Sequence, residues 1–334
     1  MKHPTYFPTF MKNEVNIDAT RLDKLDGHVN SVFSALQGDD VIGHLVKEKI
    51  KQGSWPHRTI IRPKPGGEFD ADFLLRMDVN DDWDGNPTAY IDAVYYALGR
   101  HNTYKDMPHG RRTRCVYLEY SPINDIGCHL DIVPYLYLPD GRKVIVNRTT
   151  NTWESTAPEA FTAWIKRRDE ITNGNFRKVV RLMKYYKVHR GSFNGVPSII
   201  LTTLLGEQVS EVKPVIDPDC YKNIPSTLLT IVADLDTYLQ NRPTMPTVVN
   251  PGGDGTTFDH RWEQPTYTNF RDRMHTCAQK MAEANEEVDA EKSMKLWQDI
   301  FGDKFKPVAT PTTNSKYEAG AATAAAASRS GKSG

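Results

Sequence analysis

Long apolar runs, paired cysteines and net charge are all scarce in this 334-residue chain, and each scarcity removes a class of function. No stretch approaches the roughly 18 to 20 consecutive apolar residues that a membrane helix needs. The N-terminal MKHPTYFPTFMKNEV also lacks the apolar centre of a signal peptide, so a cytoplasmic protein without a membrane partner is expected. The four cysteines, Cys115, Cys128, Cys220 and Cys277, show no CxxC spacing, which argues against a zinc knuckle, a dithiol redox motif or a disulfide framework. Forty-two basic residues balance forty-two acidic ones. No bulk positive field therefore gathers nucleic acid, and any phosphate recognition has to be local.

What is present is the composition of a globular protein of one large or two modest domains, 39% hydrophobic and 25% charged. Residues 1–18 carry two prolines, show no period and read as irregular. From 19 to 152 the pattern is α+β. A helical run with apolar residues from Leu22 to Ile50, interrupted near Gly38 and Gly43, leads to Gly53 and Ser54. Strands are predicted over 69–77, 114–120, 127–138 and 142–148, with one helix over 88–101, giving a mixed or antiparallel sheet backed by helices. The loop from Asn80 imitates the first half of an EF-hand, but its twelfth position is Ile91 rather than a bidentate Glu, so it reads as a solvated turn. From 153 to 307 the texture is all helical. Thr156 and Glu159 form an apparent capping box at the first of these helices. The segment 308–334 collapses into Thr, Ala, Ser and Gly and is expected to be a disordered tail.

Three acids carry the chemical signal. Asp70 and Asp72 are one position apart in a predicted strand, whose period of two projects both from one face. Asp131 is the one acid in the apolar run CHLDIVPYLYL. Carboxylates on adjacent strands suit two hard divalent cations, Mg²⁺ or Mn²⁺, which together clamp an in-line phosphoryl displacement. Asp131 is also placed to accept the proton of an attacking hydroxyl. Gly53 and Ser54 lie upstream, where a glycine lets backbone approach a triphosphate and a serine offers both N–H and hydroxyl to an anion. In FRKVVRLMKYYK, Arg177, Arg181 and Lys184 share a face; Lys184 is the candidate phosphate contact, with Arg181 as support. Ser198, at the start of an apolar helix, either caps it or touches a phosphate. His57 and His129 sit near these motifs without a His or Cys partner at ligand spacing, and read as structural or as supports for the ligands.

Gly53-Ser54, Phe69-Asp70-Ala71-Asp72-Phe73 and His129-Leu130-Asp131-Ile132-Val133-Pro134 together resemble the GS, DxD, hxDhVP signature of polymerase-beta-like nucleotidyltransferases. Farther along, VVRLMKYYK, SIILTTLL and LWQDIFGDKF resemble the C-terminal half of the bacterial cGAS/DncV-like nucleotidyltransferases (CD-NTases) of CBASS anti-phage systems. The resemblance covers about residues 20–307. It implies a nucleotidyltransferase lobe and a helical lobe with the active site in the cleft between them. It also implies an enzyme that condenses ATP or other NTPs into cyclic di- or trinucleotide signals with release of pyrophosphate. By position, Asp70, Asp72 and Asp131 become metal ligands, and Gly53, Ser54, Lys184 and Ser198 become nucleotide contacts. A regulatory partner, HORMA-type or ubiquitin-transfer-like, is further implied. The chain departs from the pattern in the long insert IIRPKPGGE between Ser54 and Asp70. Two rivals stand beside this reading: a linear oligoadenylate or RNA-tailing enzyme, and a catalytically silent nucleotide-binding scaffold.

Overall fold

The computed structural model describes residues 1–307 apart from 124, 125 and 254, together with the backbone but not the side chains of residues 69, 70, 123 and 126. The expected tail, 308–334, lies outside the described residues.

The chain opens with α1 (Tyr6–Phe10), which runs into a π-helical turn, Met11–Val15. This corrects the irregular N-terminus expected from the sequence. Phe7, Phe10, Met11 and Val15 lie at helical spacing and are buried, and Pro8 falls in the first turn, where its missing N–H removes no intrahelical bond. Next come α2 (Ala19–Gln37), capped by Asp18 accepting from the Arg21 N–H, and β1 (Val46–Gln52). The segment 46–52, read as a continuation of the helix, is a strand. Val46 and Ile50 are four apart, a spacing that satisfies a helical period and a strand period alike, and pairing with the next strand decides between them.

The remaining elements of the first lobe are β2 (Glu68–Met77), α3 (Thr88–Arg100), β3 (His109–Arg111), β4 (Val116–Ile123), β5 (Ile126–Tyr137), β6 (Lys143–Asn147) and β7 (Thr152–Ser155). The acidic loop before α3 is a turn held by the Asn80 side chain, which accepts from the Asp82 N–H. The main sheet path is β1-β2-β5-β4-β3, and β6 pairs with both β5 and β7. Every pairing is antiparallel except β2 with β5, which is parallel and sets Asp72 directly opposite Asp131.

Side chains alternate across the sheet. Ala71, Phe73, Leu75, Leu118, Leu130 and Ile132 enter a core shared with Leu25, Val29 and Val32 of α2 and Ile91, Val94 and Leu98 of α3. On the opposite parity, Leu74, Cys115, Val133 and Tyr135 form a smaller cluster in continuation of the two acids.

The second lobe is α4 (Pro158–Ile171), α5 (Phe176–His189), α6 (Ser198–Glu207), α7 (Lys213–Ile216), α8 (Ile224–Gln240), α9 (Gln264–Glu286) and α10 (Ala290–Phe301). The capping box expected at α4 does not form: Ala157 is the N-cap, without a side-chain bond, and Glu159 instead takes the Lys143 ammonium at 2.5 Å. The core of this lobe also contains the N-terminal segment, with the Phe7 and Phe10 rings 4.9 and 5.3 Å from Phe305 in edge-on contacts. Phe7→Ala should cost about 3–5 kcal/mol of stability. Urea denaturation checks this, and a loss below about 1 kcal/mol would mean that the segment is not part of the core.

Candidate active site

Between the lobes lies a cleft of about 1410 Å³ whose lining comes from both. Pockets for a single drug-sized ligand measure roughly 300–1,000 Å³, so this volume accommodates more than one nucleotide-sized molecule. The cleft gathers Gly53, Ser54, Asp72, Asp131, Lys184 and Ser198 from segments up to 145 positions apart.

Asp72 and Asp131 occupy the floor, opposite each other on β2 and β5. Asp70 lies two residues before Asp72 in β2, with its backbone opposite His129, and its side chain lies outside the described residues. Among the described residues no group of three His, Cys, Asp or Glu side chains is positioned to hold a metal ion; two of the three expected acids are in that set. The chemistry of the donors on the floor is nonetheless that of a hard cation site. Both described ligand candidates are carboxylates, and burial, with Asp131 beside it, pushes the Cys115 thiol up, so that no thiolate competes there.

Gly53 belongs to a run of turns after β1, not to a helix start. Its φ is +68°, and a Cβ at this position would lie 2.3 Å from Asp72 Oδ2. Conformation and close approach both demand glycine here. Ser54 follows in the same run, and its carbonyl accepts from the Thr59 N–H at 2.9 Å. Lys184 is buried on α5 with its Nζ 3.2 Å from the Thr59 carbonyl oxygen. Ser198 is the first residue of α6, after the N-cap Pro197, and lines the cleft without capping its helix.

Arg181 is not brought into the cleft. Its Nη1 donates to the Arg58 carbonyl at 2.5 Å, and burial lowers its pKa. It braces the loop that follows Ser54 instead of reaching a nucleotide in the cleft, the role that the sequence pattern suggests for it.

His57 also lines the cleft, and it is buried beside cations. Burial first, then Lys184 and Arg177, push its pKa down to about 4. Its Nε2 is 3.2 Å from Thr162 Oγ1, whose own proton goes to the Pro158 carbonyl, so the neutral ring donates to the threonine.

Four charged residues that no motif flagged complete the walls. Arg114 makes a paired contact with Glu154, at 2.6 and 3.0 Å, which Asn147 also supports. Arg112 and Arg261 add cationic groups to the lining. Their signal is weak in the sequence because Arg114 and Glu154 are 40 positions apart and belong to no recognisable spacing.

The first half of the chain, residues 1–169, matches the family of the Second Messenger Oligonucleotide or Dinucleotide Synthetase domain. The chain belongs to that family. A cyclic AMP-AMP-AMP synthase from Acinetobacter sp. (strain ATCC 27244 / 9458) is 22% identical over 300 residues, which is 88% of this chain and 82% of the relative. Solved structures give the fold independently. Vibrio cholerae DncV cyclic AMP-GMP synthase, in complex with the linear intermediate 5' pppA(3',5')pG, superposes with a TM-score of 0.69 at 15% identity, covering 91% of this chain and 97% of the other. E. coli MS115-1 CdnC with ATP gives 0.66 at 18% identity, with coverages of 91% and 99%. The same protein in complex with HORMA-deltaN gives 0.67 at 18%, with 91% and 98%. By family, then, the chain is a second-messenger oligonucleotide or dinucleotide synthetase. Among its described residues no helix is long and apolar enough to cross a membrane.

Two outcomes follow from the geometry. Gly53→Ala should lose most activity while keeping its melting temperature within a few degrees, because the new Cβ drives Asp72 from its place; unchanged turnover would contradict the close approach. His57 takes up a proton near pH 6.5 when unfolded and near 4 when folded. The unfolded chain therefore binds more protons between those values, and stability falls as pH drops from about 6.5 to about 4. The loss is on the order of 3 kcal/mol, and His57→Gln should flatten that part of the stability profile in urea titrations.

Proposed function

We propose that the synthetase joins NTPs in this cleft, a ribose hydroxyl of one nucleotide attacking the α-phosphorus of another with departure of pyrophosphate, and that Asp70, Asp72 and Asp131 hold two Mg²⁺ or Mn²⁺ ions there. The reading is carried by one observation: Asp72 and Asp131 face each other across a parallel strand pair on the floor of a cleft large enough for two nucleotides. When bound, such cations polarise the α-phosphate and favour ionisation of the attacking hydroxyl. The rest of the chemistry belongs to side chains. Asp131 accepts the hydroxyl proton or passes it to water. Gly53 leaves room for backbone to approach the triphosphate, and Ser54 and Ser198 offer hydroxyls to its oxygens. Lys184 contributes a fixed positive charge, already desolvated and oriented by the Thr59 carbonyl, so little reorganisation is needed when phosphate arrives.

ATP is the proposed substrate, on the strength of the cyclic AMP-AMP-AMP synthase relative and of the ATP-bound E. coli structure. A HORMA-type regulator is proposed on the same footing, from the E. coli complex.

Asp72→Asn and Asp131→Asn should each reduce pyrophosphate release from ATP by at least about a hundredfold with the fold intact. Lys184→Ala should act mainly on KM. Products that resist phosphatase are rings, whereas digestible 5'-triphosphorylated chains would favour the linear oligoadenylate enzyme. Nucleotide binding with no pyrophosphate at all, tested with and without the regulator, would favour the silent scaffold. Substantial turnover in both Asn variants would overturn the assignment.

A further inference from the structure

His129 is buried in β5, 4% exposed, on the same strand parity as Asp131. A buried imidazole is costly unless hydrogen-bonded, and an apolar residue would pack a strand interior more cheaply. Among the described residues its polar partners are two. Nε2 lies 2.9 Å from Asp131 Oδ1, and Nδ1 lies 3.9 Å from Glu119 Oε1 on β4. An ionised carboxylate only accepts, so His129 Nε2 is the donor.

The other oxygen of the same carboxylate is treated differently. Asp131 Oδ2 lies 3.6 Å from Nη1 of Arg112, an exposed side chain of the cleft wall. One oxygen is thus held by a buried donor that does not line the cleft, while the other meets a long, solvent-accessible cation that an incoming ion or phosphate is able to displace.

The donor is itself held in place. The Tyr117 ring stacks on His129 with centroids 5.4 Å apart and planes 14° apart, and the Arg112 guanidinium lies 4.9 Å from the same ring. Tyr117 pairs with Asp131 on one side and with Gly110 on the other. A Cβ at Gly110 would lie 2.6 Å from the Tyr117 ring, so the glycine makes the space the ring occupies. Gly110, Tyr117 and Asp131 form one row across three strands, and the neighbouring row brings Glu119 to His129.

We infer that His129 is a positioning residue for metal binding: it fixes the Asp131 carboxylate so that one oxygen is committed to the protein and the other is presented to a divalent cation in the cleft, with Tyr117 and Gly110 holding the imidazole in register. The inference rests on Asp131 being a metal ligand. Groups that orient metal-bound carboxylates in this way typically change metal affinity by 10- to 100-fold when removed.

Mn²⁺ titration of the full-length, nucleotide-free protein, with free Mn²⁺ followed by electron paramagnetic resonance, tests this without reference to turnover. Asp131→Asn should lose the site. His129→Leu should weaken Mn²⁺ binding by roughly tenfold or more, and His129→Gln, whose amide nitrogen reaches the place of Nε2, should recover most of it. Should His129→Leu fail to fold, His129→Asn carries the comparison, being polar but too short to reach. Wild-type Mn²⁺ affinity in the Leu or Asn variant while Asp131→Asn loses binding would overturn the positioning role alone. Equal weakening in the Gln variant would do the same, because the donated hydrogen bond would then not be what matters. Wild-type affinity in Asp131→Asn would remove the ligand assignment, and this inference with it.

Discussion

The structure depends on one strand pairing. β2 and β5 run parallel in a sheet that is otherwise antiparallel, and their register sets Asp72 against Asp131. At the roughly 5 Å spacing of neighbouring strands, two such charges repel by about 3 kcal/mol at an effective dielectric of 20. Like charges directly opposite weaken a sheet, and this pair is tolerated because the same strands bury Phe73, Leu75, Leu130 and Ile132 on the other face. The hydrophobic face holds the register, and the register imposes the charge pair. Nearby cationic and donor groups, Arg112 at 3.6 Å and His129 at 2.9 Å, offset part of the repulsion at Asp131.

That division of labour explains the shape of the whole site. The sheet supplies the acids on rigid backbone, the run of turns after β1 supplies Gly53 and Ser54, and α5 and α6 of the other lobe supply Lys184 and Ser198. Contacts between Lys184 and Thr59, and between Arg181 and Arg58, tie the second lobe to the segment leaving the Gly53 turn. The insert 60–68 is part of this tie. The Arg62 N–H donates to the Val15 carbonyl at 2.8 Å, and Ile60, Ile61, Pro63, Lys64, Gly67 and Glu68 line the cleft, so the insert is a piece of its wall.

Much of this was legible in the amino-acid order because strong periods and sparse acids leave few readings. The alternation around Asp72 and Asp131 marks strands whose charged residues and His129 fall on one parity, and the helical texture after residue 153 is that of α4, α5, α6, α8, α9 and α10, with the short α7 unanticipated. Where the reading failed, a second period was available or tertiary structure decided. Val46 and Ile50 fit a helix and a strand equally, and only the presence of β2 alongside selects the strand. Phe7, Phe10, Met11 and Val15 do carry a helical spacing, but two prolines obscured it, and their partners lie in α10 and just beyond it. Arg181 shares a helix face with Lys184, yet backbone from the Gly53 loop reaches it first. Arg112, Arg114 and Glu154 belong to no motif, since their meeting is a property of strand order rather than of spacing.

The packing of Phe7 against Phe305 has a consequence for how the molecule is made. These rings are separated by 298 positions, and a ribosome adding about 5–20 residues per second takes roughly 15–60 s to span that interval. Phe7 waits through it without the aromatic nest that will enclose it, whereas the sheet lobe has all its strands once Ser155 is added, about halfway through. Phe7 and Phe10 are therefore made well before the side chains that shelter them, and a chaperone that shields aromatic segments has a long window in which to act on them.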